Sequence, residues 1–319
     1  MILDELKTGG KAAMAKALGM IETDPYGATT IALLDTAFHQ PLGRVIGLTG
    51  PPGVGKSTLM NALIRHWRQS GLTVGCIAVD PSSRKSRGAL LGDRTRLSTA
   101  PEDQGIFFRS MAARDQLGGL AALTVSAMVL MRAVYDIVLI ETVGVGQSET
   151  DVAHVADTVL FCVQPGSGDS LQFMKAGIAE IPHVVAVTKA DMEQAAVRAR
   201  ADVKGALTLS AGDPDNDWEI PVVLVSARGA HGVEALTEAL DRHWRHLNET
   251  GRRERARHDQ AQHWLEETVS EEWGRKGLTL LRNQAVNTRP MLALNHETSP
   301  FKRLAEISGQ IVLKYKDQP

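Results

Sequence analysis

The spacing of apolar positions changes twice along this chain. In the first forty residues Leu6, Ala12, Met14, Ala15, Leu18 and Ile21 recur at roughly helical spacing, and residues 28–38 repeat the pattern. This predicts a helical extension over residues 1–40. From Arg44 to about Leu247, short β-rich apolar runs alternate with helical segments, the pattern of an α/β domain with a mostly parallel sheet flanked by helices. The candidate strands are residues 45–48, 73–79, 135–140, 158–163, 183–187 and 222–225. Gly71 is the predicted stop of the helix that begins at Ser57. After residue 248 the chain turns basic, Arg252-Arg253-Glu254-Arg255-Ala256-Arg257, and continues as a long helix-like segment with Trp264 and Trp273. The predicted organisation is therefore a helical extension (1–40), a sheet domain (41–247) and a C-terminal helical arm (248–319).

Composition narrows the class. With 319 residues and 43% hydrophobic content, the chain is long enough to bury a full core. A formal charge of -2 argues against nucleic acid as the main partner, because binding a phosphate backbone normally demands a strongly basic face. The two cysteines, Cys76 and Cys162, sit in apolar runs without metal-ligand spacing, which fits a reducing compartment. No signal peptide and no bilayer-spanning run is visible, so a cytoplasmic location is the expectation.

The first apolar run leads directly into Gly50-Pro51-Pro52-Gly53-Val54-Gly55-Lys56-Ser57, with Thr58 beside it. This is a phosphate-binding loop of the G-x-x-x-x-G-K-[ST] type, and it makes the sheet domain a P-loop NTPase. Its glycines permit positive φ and leave backbone N–H groups free to face phosphate oxygens. Lys56 supplies a point charge for the β and γ phosphates, and the Ser57 hydroxyl is a candidate Mg²⁺ ligand.

The base follows from residues beyond the fifth and sixth runs. Asp191 in Thr188-Lys189-Ala190-Asp191 can accept hydrogen bonds from N1–H and the exocyclic amine of guanine, while the Lys189 stem covers the ring. Adenine lacks that donor pair, so an acidic residue here favours GTP over ATP. Ser226-Ala227-Arg228 lies where a backbone N–H can meet guanine O6. For hydrolysis, Glu141-Thr142-Val143-Gly144 offers a carboxylate near Mg²⁺ and a glycine N–H for the γ-phosphate. Asp80, at a strand end, and Asp93 are further acidic candidates, an arginine-paired loop carboxylate being the alternative for Asp93. Gln147 lies three residues past Gly144, and no glutamine directly follows that glycine. Slow intrinsic turnover with stimulation by a partner, which reaches ~10⁵-fold in GTPases, is the expectation.

Several stretches together resemble one family. Residues 141–149 (ETVGVGQSE), with Val79-Asp80-Pro81-Ser82-Ser83, residues 91–96 (LGDRTR), Phe108-Arg109-Ser110, Leu117-Gly118-Gly119 and Pro165-Gly166-Ser167-Gly168-Asp169, are similar to the MeaB/ArgK/MMAA family of metallochaperone P-loop GTPases. The resemblance covers nearly the whole chain. It implies a GTPase chaperone of adenosylcobalamin-dependent acyl-CoA mutases such as methylmalonyl-CoA mutase, gating cofactor delivery and removing damaged cobalamin. It further implies a homodimer joined through the C-terminal arm, with a cobalamin adenosyltransferase as a further partner; from charge and hydropathy, neither nucleic acid nor a membrane is an expected partner. Carried onto this sequence, it assigns Lys56 and Ser57 to the phosphates and metal, and Asp80, Asp93 and Glu141 to the metal site. Residues 141–149 become a second switch, and residues 164–177 a third, with Lys175 as an activating cation; a surface lysine is the alternative there. Two departures fall where a mutase would touch: Arg84-Lys85-Ser86-Arg87 replaces a small glycine-rich stretch, and Asp169-Ser170-Leu171-Gln172-Phe173-Met174-Lys175 loses an acid and gains bulk. Two other readings stay open at this point, a GTP-gated binding module with negligible hydrolysis and a nickel-insertion GTPase of the hydrogenase or urease type. The latter needs a Cys/His station that the ten histidines do not form with either cysteine.

Overall fold

The computed structural model describes residues 2–80, 102–112, 122–142, 151–166, 181–209, 217–229, 231–283, 285–286, 289–290, 292–295 and 297–316. Seven segments lie side by side as β1 (Arg44–Thr49), β2 (Val74–Asp80), β3 (Ile106–Ala112), β4 (Ile137–Glu141), β5 (Thr158–Val163), β6 (Val184–Val187) and β7 (Val222–Leu224). Their order is β3-β2-β4-β1-β5-β6-β7, and every described pair is parallel. The sheet is therefore the α/β arrangement predicted from the alternation of runs. Because β1 is central, with β2–β4 added on one side of it and β5–β7 on the other, its carboxyl end lies at a topological switch point.

Uninterrupted apolar strands signal burial on both faces, and β1 and β5 are buried along their full length. Alternate residues serve opposite faces. On one, Ile46, Leu48, Leu139 and Leu160 join a cluster with Leu59, Leu63 and Trp67 of α4 (Lys56–Gln69) and Leu236 and Leu240 of α7 (Val233–Glu249). On the other, Phe161, Val163, Val185 and Val187 pack with Ala196 and Val203 of α6 (Gln194–Leu209). Each such side chain contributes about 1.5–3 kcal/mol of burial free energy. Gly47 interrupts the bulk of β1 for a steric reason: a Cβ there would come within 2.2 Å of Val152 Cγ2.

The predicted strands match observed ones to within two residues at either end, and one strand escaped prediction. β3, at the sheet edge, reads Ile106-Phe107-Phe108-Arg109-Ser110-Met111-Ala112, and its centre at Phe108, Arg109 and Ser110 is only half-buried. An edge strand needs no continuous apolar run, so the pattern that marks β1 is missing. The predicted stop at Gly71 coincides with the end of α4, where Gly71 N–H donates to Arg68 O and Leu72 N–H to Trp67 O.

The remaining helices are α1 (Leu3–Thr8), α2 (Gly10–Thr23), α3 (Ala28–His39), α5 (Ala122–Arg132), α8 (Arg252–Asn283, broken at Gly274) and α9 (Pro300–Lys316); β8 (Ala285–Val286) and β9 (Arg289–Pro290) form a small antiparallel pair. The chain divides into two compact units. One comprises residues 43–121 and 135–253, with the sheet, α4, α6 and α7; the other comprises residues 1–42, 122–134 and 254–319. In the helical unit α3 packs against α5 and α9, and the rings of Trp264 and Phe301 lie 4.8 Å apart. Ser299 caps α9, its hydroxyl accepting from Lys302 N–H at 3.2 Å, with Pro300 at the first helical position. The basic stretch at the start of α8 folds back on α7: the Arg253 guanidinium sits over the Trp244 ring and bonds Asn248 Oδ1. Among the described residues no helix is long and apolar enough to cross a membrane.

Candidate functional site

The phosphate loop leaves β1 at Thr49 and enters α4 at Lys56. Three of its residues, Gly50 (φ 134), Gly53 (φ 74) and Gly55 (φ 101), have positive φ, and a Cβ on Gly50 would stand 2.3 Å from Cys162 O. Only glycine fits at Gly50, whatever else the loop does. Pro51, Pro52 and Val54 complete the curve, and Val54 is fully buried beneath it. The Lys56 ammonium is curled into the loop, donating to Gly50 O at 2.6 Å and Pro51 O at 3.1 Å, and the residue is buried. The two carbonyl dipoles satisfy the buried ammonium and hold it within the loop, where an anionic ligand would be drawn.

Parallel pairing of β1 with β4 then decides where the metal-site candidates lie. Leu48 is the register partner of Glu141, so the last residue of β4 emerges beside the loop. The Ser57 hydroxyl donates to Glu141 Oε1 at 2.7 Å, joining two residues 84 positions apart. A hydroxyl and a carboxylate are hard oxygen donors of the kind that Mg²⁺ takes beside phosphate and water, so the donor set fits that ion. Thr142, buried behind them, bonds Thr49 Oγ1 at 3.1 Å and fixes the strand ends together. Asp80 is the last residue of β2, two positions beyond Ala78, the register partner of Glu141. Asp93, Gly144, Gln147 and Lys175, together with the segments around Arg84 and Asp169, lie outside the described residues.

The candidate base-binding residues lie on the turn after β6. Thr188 is buried, and its hydroxyl lies 2.7 Å from Val54 O and 3.0 Å from Val163 O, so its single proton ties the turn to the phosphate loop or to β5. Lys189 adopts a left-handed conformation (φ 52, ψ 42), which costs a residue with a Cβ about 1–2 kcal/mol. Its ammonium donates to Gly53 O at 3.1 Å and to Gln164 Oε1. The strain is offset by bonds to both neighbouring segments. Asp191 accepts from the Ser226 hydroxyl at 2.7 Å. That bond, then the residue's own backbone N–H, and the charges of Arg228 and Lys189, hold its carboxyl below the usual carboxylate range. It is therefore an ionised acceptor at neutral pH. Ser226 is fixed in turn by a two-way backbone bridge to His231.

These pieces enclose one cavity of about 360 Å³, lined by Gly53, Val54, Gly55, Thr58 and Leu59 from the loop and α4, Thr188, Lys189, Asp191 and Met192 from the turn, and residues 225–228. The structure thus gathers the sequence-predicted Gly53–Thr58 stretch, 188–191 and 226–228 around a single space, with Ser57 and Glu141 bonded at the phosphate end. Sequence reasoning did not find the contact between Gln164 and Lys189. Its only signal is that both residues follow the ends of adjacent strands.

A family model described as methylmalonyl-CoA mutase-associated GTPase MeaB matches residues 14–279. The chain belongs to that family. Among MeaB relatives, GTPase ArgK of Escherichia coli (strain K12) is 34% identical over 323 residues, covering 98% of this chain and 96% of its own. The methylmalonic aciduria type A homolog, mitochondrial, of Mus musculus is 35% identical over 282 residues, 83% of this chain and 68% of its own. A crystal structure of a LAO/AO transport system kinase is similar over 97% of this chain and 96% of its own, with a TM-score of 0.68 and 27% identity. This MeaB-family chain is a P-loop GTPase, and its fold brings the loop, Glu141 and Asp191 to the carboxyl ends of the sheet strands.

Proposed function

We propose that this chain is a Mg²⁺-dependent GTP switch that works as a metallochaperone for an adenosylcobalamin-dependent acyl-CoA mutase, protecting the mutase and gating delivery of its cofactor or removal of the damaged one. GTP occupies the cavity with its base against Asp191, Ser226, Ala227 and Arg228 and its phosphates on residues 50–58. The observation that carries the reading is the joining of both ends on one loop: Thr188 and Lys189 reach Val54 and Gly53, while Ser57 two residues past Gly55 reaches Glu141. Mg²⁺ bound at Ser57 and Glu141, with Asp80 and Asp93 as further carboxylates, would neutralise charge developing on the transferred phosphoryl group. Lys56 supplies the fixed cation, and Asp191, ionised through Ser226, selects guanine. Gly144, Gln147 and Lys175 are proposed to complete the hydrolytic centre. The active species is a homodimer through residues 248–319, and a cobalamin adenosyltransferase is a further partner.

The nickel-insertion reading is disfavoured by the thiols. Cys76 and Cys162 are fully buried in β2 and β5, and burial pushes the Cys162 thiol up to about 12 and that of Cys76 higher still. Neither is poised to ligate a metal as thiolate. Single-turnover GTP hydrolysis, with and without an acyl-CoA mutase, tests the switch: the mutase should accelerate it by at least tenfold. Tight GTP binding that no mutase stimulates would favour the binding module instead. Light scattering of the full chain tests the dimer, and a monomeric mass would remove it.

A further inference from the structure

The segment that leaves β5 is joined to the base-reading turn through one side chain. β5 and β6 end in register, with Val163 opposite Val187, so Gln164 and Thr188 emerge side by side. Thr188 N–H donates to Val163 O at 2.8 Å, extending the ladder one step past the strand. Lys189 then turns left-handed and its ammonium meets two acceptors, Gly53 O on the phosphate loop and the Gln164 amide oxygen. Gln164 is half-buried, whereas Lys189 is exposed. An exposed lysine samples many rotamers, and nucleotide affinity falls by the fraction of time its stem spends away from the base. The backbone conformation aims the side chain but leaves its four outer torsions free. Gly53 O alone is a weak restraint, because the loop that carries it must also accommodate the phosphates. A second acceptor on a different segment removes that freedom.

We infer that Gln164 is a positioning residue for guanine-nucleotide binding: its amide oxygen holds Lys189 in the rotamer whose stem covers the base, and so slows nucleotide release. This rests on residues 188–191 being the base-reading turn. The stem covers the ring face and reads no edge, so the contribution of Gln164 is the same for guanine, hypoxanthine and xanthine. Asp191, by contrast, discriminates among them. Glutamate at position 164 keeps the acceptor and adds a charge facing the ammonium, whereas alanine removes the acceptor.

The test is a double-mutant cycle on the full chain, reading GDP affinity by calorimetry and release of a fluorescent GDP by stopped flow. Gln164→Ala should raise the GDP Kd and the release rate roughly fivefold, the size expected of one hydrogen bond to a charged group that remains partly solvated. IDP and XDP should lose affinity by the same factor, and Gln164→Glu should restore wild-type release. In a Lys189→Met background, Gln164→Ala should have no further effect. Wild-type release in Gln164→Ala, or a full additional loss in the Lys189→Met background, would overturn the inference; the second result would mark a general loosening of the site. If Lys189→Met itself bound GDP like the wild type, the base-reading turn would be misassigned and the role of Gln164 would fall with it.

Discussion

The two ends of β5 and β6 are built on opposite principles. At the carboxyl ends the polar groups are exposed or ionised and bridge segments: Lys189 to Gly53 and Gln164, Asp191 to Ser226. At the amino ends a pair of imidazoles is held neutral. His183 stacks on His243 with ring centroids 4.3 Å apart, and Trp218 meets the edge of His243 at 4.8 Å. His183 Nδ1 accepts from Val159 N–H at 2.9 Å, His243 Nδ1 pairs with the Thr158 hydroxyl at 2.8 Å, and Trp218 Nε1 donates to His183 O at 2.8 Å. Burial pushes His183 down to about 4, against a smaller opposing pull from Asp157, and burial with the two neighbouring imidazoles pushes His243 down to about 2. The same strands thus carry the proposed clamp for a charged ligand at one end and a lock for α7 at the other. Whether charge is retained or suppressed follows from how much water each end keeps.

The comparison makes separable predictions. Lys56→Ala removes the charge at the loop mouth and should weaken GTP binding at least a thousandfold, about 4 kcal/mol, in calorimetry, with the unfolding midpoint little changed. Retained affinity would break the assignment of the clamp. At the other end His243→Ala, which leaves a cavity and an unpartnered Thr158 hydroxyl, should cost about 3 kcal/mol in denaturant unfolding while GDP affinity stays within twofold. Loss of both stability and affinity in proportion would show that the two ends are one energetic unit. Asp191→Asn should narrow discrimination of GTP against XTP by about 2 kcal/mol in competition binding; unchanged selectivity would move base recognition elsewhere. The smallest effect is a slope. Both imidazoles have folded values below the ordinary 6.5, so their contribution is complete above pH 6.5 and is lost as pH falls from 6.5 towards 4 for His183 and towards 2 for His243. Each should contribute up to about 1.4 kcal/mol per pH unit, and His243→Leu should flatten the acid limb of a stability profile.

Much of the clamp was legible in the sequence because its parts are local. A glycine-rich loop, an acidic residue after an apolar run and a Ser-Ala-Arg turn each declare themselves over a few residues. Their convergence was legible at second hand, since parallel strands deliver their carboxyl ends to one side of a sheet. The lock was invisible. His183, Trp218 and His243 are spread over sixty residues without a common motif, and a histidine in sequence carries no mark of whether it will be buried. β3 was missed because an edge strand with Arg109 and Ser110 at its centre lacks the continuous apolar run used to find its neighbours. The Gln164–Lys189 contact required the register of β5 on β6, which no single-residue pattern encodes.

The division of the chain into units also sets an order of events during synthesis. Every residue of the sheet unit has been made once the ribosome passes Arg253, whereas the helical unit draws on residues 1–42, 122–134 and 254–319. α3 packs against α9, from which it is separated in sequence by the whole of the sheet unit. A nascent chain can therefore complete its nucleotide pocket while the apolar flank of α3 still waits for its final neighbour. α3 is therefore fully covered only after the sheet unit has been made, and its shielding until α9 is synthesised falls to α5 and to whatever holds the chain in the meantime.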